Sequence, residues 1–186
     1  MHILVTGASG FLGRRLIAAL LAGPEGLPPI SRIVAADLAE CPIADPRVDS
    51  RTGSVTDPAF VKSLVTPDVR AVCHLAAVVS GEAEADFDLG MQVNVDATRI
   101  VLEACRGLGP APRVVFASTI AVFGGPLPAV VPEDMAVRPQ SSYGSEKAIA
   151  EHLVLEYSRR GFIDGIVCRI PTVAVRPGKP NAAMSS

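Results

Sequence analysis

Three evenly spaced glycines, Gly7, Gly10 and Gly13, stand between an apolar run, His2 to Thr6, and a segment from Phe11 to Leu21 in which Leu12, Leu16, Ala19 and Leu20 recur at helical spacing. Few folds accept this arrangement. Gly7 lets the chain turn sharply off a strand, Gly10 leaves the backbone open to a diphosphate, and Gly13 allows the helix to pack closely on the strand. The amides at Phe11 and Leu12, at the start of that helix, then face the anion. The G-x-x-G-x-x-G spacing is one residue wider than the common dinucleotide fingerprint, but its place between a first strand and a first helix points to nucleotide binding.

The rest of the chain continues the alternation. Arg32 to Ala36, Ala71 to Leu75, Arg113 to Ala117 and Gly165 to Arg169 read, like His2 to Thr6, as strands buried on both faces. Helical patterns run from about Met91 to Gly107, with Val95, Thr98 and Leu102 in one stripe, and from about Ser142 to Arg160, with Ile149, Leu153 and Tyr157 on one side. Parallel strands joined by helices predict an α/β fold, a Rossmann-type doubly wound parallel sheet with helices on both faces. Clusters of proline mark the loops, and the one from Gly124 to Gln140 is long enough to serve as a lid or as the wall of a cleft.

Composition narrows the function. With 186 residues the chain has one sizeable core, and 17 Lys plus Arg against 19 Asp plus Glu give a net charge of -2, so neither nucleic acid nor an anionic membrane is an expected partner. No signal-peptide pattern opens the chain and no apolar run is long enough to span a membrane, which predicts a cytoplasmic protein. Cys41, Cys73, Cys105 and Cys168 lie too far apart for a C-x-x-C pair and read as reduced structural thiols, with Cys73 and Cys168 in buried strands. His2, His74 and His152 have no ligand spacing, so no metal site is expected.

The second strand ends in Asp37, 24 residues after Gly13, where a carboxylate accepts both ribose hydroxyls of an adenosine and repels a 2′-phosphate. NAD is therefore the expected cofactor rather than NADP. Ser54 and Val55, after a third strand, are placed to flank the adenine. His74-Leu75-Ala76-Ala77 closes the fourth strand with small residues against which a cofactor can lie.

The chemical end is carried by Tyr143 and Lys147, four apart and so on one face of a helix. A phenol titrates near 10, and using it as a base near neutrality requires roughly 4 kcal/mol of preference for the phenolate, much of which a nearby ammonium supplies. Only two Tyr and three Lys occur in the chain, so this spacing is informative. The apolar run ending in Ser118-Thr119 delivers hydroxyls to the C-terminal edge of the sheet, where open parallel sheets bind ligands; Thr119 is placed to hydrogen-bond a substrate oxygen.

Taken in order, Gly7-x-x-Gly10-x-x-Gly13, Asp37, His74-Leu75-Ala76-Ala77, Asn94, Ser118-Thr119 and Tyr143-x-x-x-Lys147 resemble the extended short-chain dehydrogenase/reductases over nearly the whole chain. The resemblance implies Tyr143 as general base, Lys147 as both its partner and a holder of the nicotinamide ribose, Thr119 (with Ser118 beside it) on the substrate hydroxyl, and Asn94 on a proton-relay water. It also implies that Asn94 and Tyr143 lie against the cofactor as well and that the stretch through Pro171 and Val173 meets the nicotinamide carboxamide. Two positions depart from the family pattern: Ser54 stands where many members carry Asp, and Phe123 where Tyr is usual.

Family members that eliminate water typically place Asp-Glu after the catalytic Thr; this chain has Ile120-Ala121, which favours a dehydrogenase or a nucleotide-sugar epimerase with retained NAD. The segments Val79 to Asp88 and Val175 to Asn181 are similar to those of a family member that oxidises C2 of a four-carbon sugar acid, with Ser80 and Arg176 as candidate contacts to the acid and Lys179 as a further cation. A non-catalytic NAD-binding module is the third reading. The expected organisation is an NAD-binding domain over 1–175, with 176–186 opening a substrate-binding portion that is largely absent. A homodimer through the helices at 91–107 and 142–160 is implied by the resemblance.

Overall fold

The computed structural model describes residues 1–172. Six parallel strands form one sheet: β1 (His2–Thr6), β2 (Arg32–Asp37), β3 (Val48–Thr52), β4 (Val69–His74), β5 (Arg113–Thr119) and β6 (Asp164–Ile170), in the order β3-β2-β1-β4-β5-β6. The order reverses direction between β1 and β4, and the crevice at such a switch point is where open α/β sheets bind ligands.

Alternate residues of β1 feed two cores. Leu4 joins one, and Ile3 and Val5 join the other. Helix α1 (Phe11–Leu21) packs Ile17 and Leu20 on the second core. Helices α2 (Pro58–Leu64), α5 (Ala97–Arg106) and α6 (Ser142–Arg159) place Val61, Leu64, Val101, Leu102 and Val154 on the first. Each such side chain contributes about 1.5–3 kcal/mol by leaving water, so covering both faces holds the layers together. The doubly wound reading is thus met, with helices on both sides of the sheet.

Some expectations are corrected. Strand β6 is half-buried, with Ile166 39% exposed, because it lies at the edge of the sheet. Cys168 on this strand is half-buried, and so is Cys73 on the interior strand β4, where the sequence predicts a buried thiol; all four cysteines are free thiols. Of the expected stripe on α6, Leu153 and Tyr157 pack half-buried against the first core but Ile149 is 42% exposed, and the helix also buries Gly144, Glu146, Lys147, Ala150 and Glu151. Helix α3 (Ser80–Ala85) and α4 (Phe87–Gly90) precede the expected helix at 91. A π-helical segment, Met91–Asp96, joins α4 to α5, and Val95, Thr98 and Leu102 are buried as expected. A 3-10 turn, Ile120–Val122, leads into the long loop, whose ends meet where the Arg138 N–H donates to Val122 O at 2.9 Å. No helix among the described residues is long and apolar enough to cross a membrane.

Candidate active site

The glycine turn is built by close backbone contact. Gly7 has φ +68°, and a β-carbon there would lie 2.7 Å from the Ala76 N. One at Gly13 would lie 2.2 Å from Gly7 O, so both positions admit only hydrogen. Gly10 is the N-cap of α1 and no side chain caps it, which leaves the helix entrance clear for an anion. Phe11 and Leu12, the first two residues of α1, are half-buried there. Asp37 closes the turn: its Oδ2 accepts from the Ser9 N–H at 2.9 Å and its Oδ1 from the Leu38 N–H at 2.7 Å. A bare helix entrance with a carboxylate tied beside it fits the diphosphate and ribose of a dinucleotide. Leu75, Ala76 and Ala77 run half-buried alongside, with the Leu75 N–H donating to Thr6 O. Ser54 is turned onto its own loop, its hydroxyl bonded to that of Thr56 at 2.7 Å, and Val55 beside it is buried.

The inward face of α6 carries three ionisable side chains that are almost wholly buried: Glu146 at 0%, Lys147 at 2% and Glu151 at 2% exposure. The Lys147 Nζ lies 4.3 Å from the centroid of the Phe116 ring and 5.9 Å from that of Tyr143. Burial pushes the Lys147 amine down to about 7, against the pull of Glu151 and Glu146. Burial also pushes the Tyr143 phenol up, and the Glu146 carboxylate adds to this. The direction is opposite to the expected lowering: desolvation and the Glu146 carboxylate both raise it, and the amine sits over the Phe116 ring.

Of the two hydroxyls at the end of β5, that of Ser118 is buried and donates to Glu151 Oε1, a carboxylate that also accepts a fork from Arg169, with Nη2 to Oε2 at 2.8 Å. Thr119 is half-buried; its Oγ1 accepts the Ala121 N–H at 3.1 Å, which leaves its own proton to donate. The Asn94 side chain is fully committed: Oδ1 accepts the Val78 N–H, and Nδ2 donates to Val78 O and to Glu146 Oε2. Its backbone carbonyl accepts from Thr98 Oγ1. Ser80 opens α3, which is tied to α6 where the Ser142 N–H donates to Glu84 Oε2 at 2.9 Å. Pro171 follows β6 and is exposed; Val173, Arg176 and Lys179 lie outside the described residues.

Sequence reasoning missed Glu146, Glu151 and Arg169. Arg169 donates through Nη1 to Glu133 O of the long loop and lies 4.8 Å from the Phe123 ring centroid, joining α6, β6 and that loop. The available signal was a charge, Arg169, closing the otherwise uncharged run from Gly165, together with Glu151 one turn beyond Lys147.

A model of the NAD dependent epimerase/dehydratase family matches residues 3–185. Over its whole length the chain is 55% identical to the D-erythronate dehydrogenase of Cupriavidus necator and 46% identical to that of Haemophilus influenzae, spanning 59% of each. It therefore covers about three-fifths of the length of these curated relatives. Among solved structures, the nucleoside-diphosphate-sugar epimerase from Agrobacterium tumefaciens superposes with a TM-score of 0.91 at 45% identity, over 98% of this chain and 56% of that one. Matched from its third residue almost to its last, and more than half identical to a curated relative along its full extent, this chain belongs to the NAD dependent epimerase/dehydratase family.

Proposed function

We propose that the protein is an NAD-dependent dehydrogenase that oxidises the C2 hydroxyl of D-erythronate to the 2-oxo acid. The observation that carries this reading is the buried amine of Lys147 beside the Tyr143 ring, on the inward face of a helix next to the Thr119 hydroxyl strand. The choice of acid rests on the two D-erythronate dehydrogenases that the chain resembles throughout.

Residues 1–175 hold the cofactor and catalytic groups in this reading. The glycine turn with Phe11 and Leu12 takes the diphosphate, Asp37 the adenosine ribose, Ser54 and Val55 the adenine side, and Leu75 to Ala77, Lys147, Pro171 and Val173 the nicotinamide side. NAD, when bound, supplies the two-electron acceptor. Tyr143 takes the proton of the C2 hydroxyl as hydride leaves the same carbon and C2=O forms. Thr119 donates its free proton to that oxygen, the second lone pair of the Asn94 backbone carbonyl takes the proton-relay water, and Ser80 and Arg176 hold the acid end. Glu151 and Glu146 support the charged form of Lys147, which favours phenolate over phenol. Assembly as a homodimer through α5 and α6, and a cytoplasmic location, belong to the same proposal.

Adding D-erythronate and NAD to the protein at its natural length is expected to release NADH, followed by its fluorescence. A nucleotide-sugar epimerase, the reading favoured by the name of the Agrobacterium structure, retains its cofactor and releases none. Replacing Asp37 by Ala is expected to weaken NAD binding about tenfold to a hundredfold, the size of lost charge-assisted hydrogen bonds, and to bring NADP to comparable affinity. Titration calorimetry with both cofactors measures this; unchanged preference would remove Asp37 from the ribose.

A further inference from the structure

His74 ends β4 and is 1% exposed, yet the proposed reaction gives it no role. Its two ring nitrogens are both used. Nδ1 lies 2.7 Å from Thr6 Oγ1, and Nε2 lies 3.1 Å from Thr98 Oγ1. The flanking bonds fix every proton in the series. Thr98 spends its hydroxyl proton on Asn94 O at 2.8 Å, so it has only lone pairs to offer Nε2, which must carry the hydrogen. In the neutral ring Nδ1 then accepts from Thr6 Oγ1, and that oxygen in turn accepts the Ala76 N–H at 3.3 Å. A second proton on the ring would claim the remaining lone pair of Thr6 Oγ1 and leave the Thr6 hydroxyl proton without its acceptor in this series. Burial keeps the ring neutral by pushing it down to about 3, and the Lys147 charge adds to this.

The two ends of this series are functional in position. Thr6 immediately precedes Gly7, whose backbone presses on Ala76. Asn94 lies in the π-helical segment and clamps Val78 to Glu146, the residue before Lys147. Single turns of π-helix are frequent at functional sites. Phe116, under the Lys147 amine, also meets His74 as a tilted ring pair, 5.9 Å between centroids and 32° between planes.

We propose that His74 is a positioning residue whose neutral, Nε2-protonated ring couples the glycine turn to the Asn94 turn, so that filling the first orders the second. The inference rests on the reading of Gly7 to Gly13 as the cofactor turn. It acts through Thr6 on one side and through Thr98 and Asn94 on the other, with no contact of its own to substrate.

The test has two parts. Long-range 1H–15N spectra of the imidazole in the whole protein are expected to show the Nε2–H form, unchanged from pH 5 to 9; an Nδ1–H form or a titration in that range would overturn the proposal. Hydrogen exchange is then followed with and without NAD in peptides covering residues 5–14 and 92–100. In the natural sequence NAD is expected to slow exchange in both. In His74→Leu, which removes both hydrogen bonds, the slowing at 5–14 persists while that at 92–100 falls about tenfold, within the range of coupled sites. His74→Gln, with one acceptor and one donor in a side-chain amide, is expected to restore it. Slowing at 92–100 that survives in His74→Leu would overturn the coupling. Should that variant fail to fold, the tautomer and the natural protein decide: slowing at 5–14 alone overturns the coupling, and no slowing at either peptide overturns the cofactor reading and the coupling with it.

Discussion

Replacing Tyr143 by Phe is expected to lower turnover about a thousandfold, the middle of the range for removing a positioned general base, while NAD binds within about threefold of its normal affinity. The change removes one oxygen from a half-buried ring and leaves its packing in place. Burial and the Glu146 carboxylate hold the phenol above its ordinary value, and a base must lose its proton before it can accept one. The rate of oxidation is therefore expected to climb with pH through neutrality towards the alkaline side, because protonated phenol is the inactive form and is the form that acid favours. Steady-state kinetics across pH, with NAD affinity measured separately, check both statements. Near-normal turnover in Tyr143→Phe would take the base away from this residue.

The largest effect on stability is expected at Arg169. Its guanidinium forks onto Glu151, whose side chain is 3% exposed and which also accepts from Ser118. Replacing Arg169 by Met leaves a buried carboxylate without its cation, a loss of about 3–5 kcal/mol. That is a large part of the 5–15 kcal/mol by which ordinary domains are stable. Adding Glu151→Gln to the same chain removes the stranded charge and is expected to recover most of the loss. Urea unfolding of the single and double variants measures it; equal stability in Arg169→Met and the natural protein would show that the pair contributes nothing. Glu151 lies one turn beyond Lys147 on the same face, so this pair also anchors the part of α6 that carries the amine.

The extent to which the sequence announced this arrangement differs from element to element. β1, the glycine turn and α1 were legible because strand period, turn chemistry and helix period agree there, and the contact of Gly7 with Ala76 and of Gly13 with Gly7 explains why no side chain is tolerated. Strand β3 was implied but not bounded. Its Val-Asp-Ser-Arg-Thr has no apolar alternation, and what makes it a strand is its register with β2 from Ile33↔Val48 to Asp37↔Thr52. The inward face of α6 was legible only in part, in Leu153 and Tyr157, for a different reason. Hydrophobic periodicity finds faces that bury by being apolar, whereas this helix buries Glu146, Lys147 and Glu151 by pairing them with Asn94, Phe116, Ser118 and Arg169. Those partners come from other elements and are invisible to any local pattern. Tyr143 and Lys147 were found by their spacing, but the upward push on the phenol depends on depth of burial, which spacing does not encode.

Hydride is expected to leave the substrate carbon for good while Tyr143 takes the proton. The most direct measurement uses D-erythronate carrying deuterium at C2, with mass spectrometry of both products. The expected result is deuterium at C4 of the nicotinamide in released NADH, together with an unlabelled 2-oxo acid, and loss of both products in Tyr143→Phe. Deuterium retained on the sugar carbon, with no labelled NADH in solution, would contradict it.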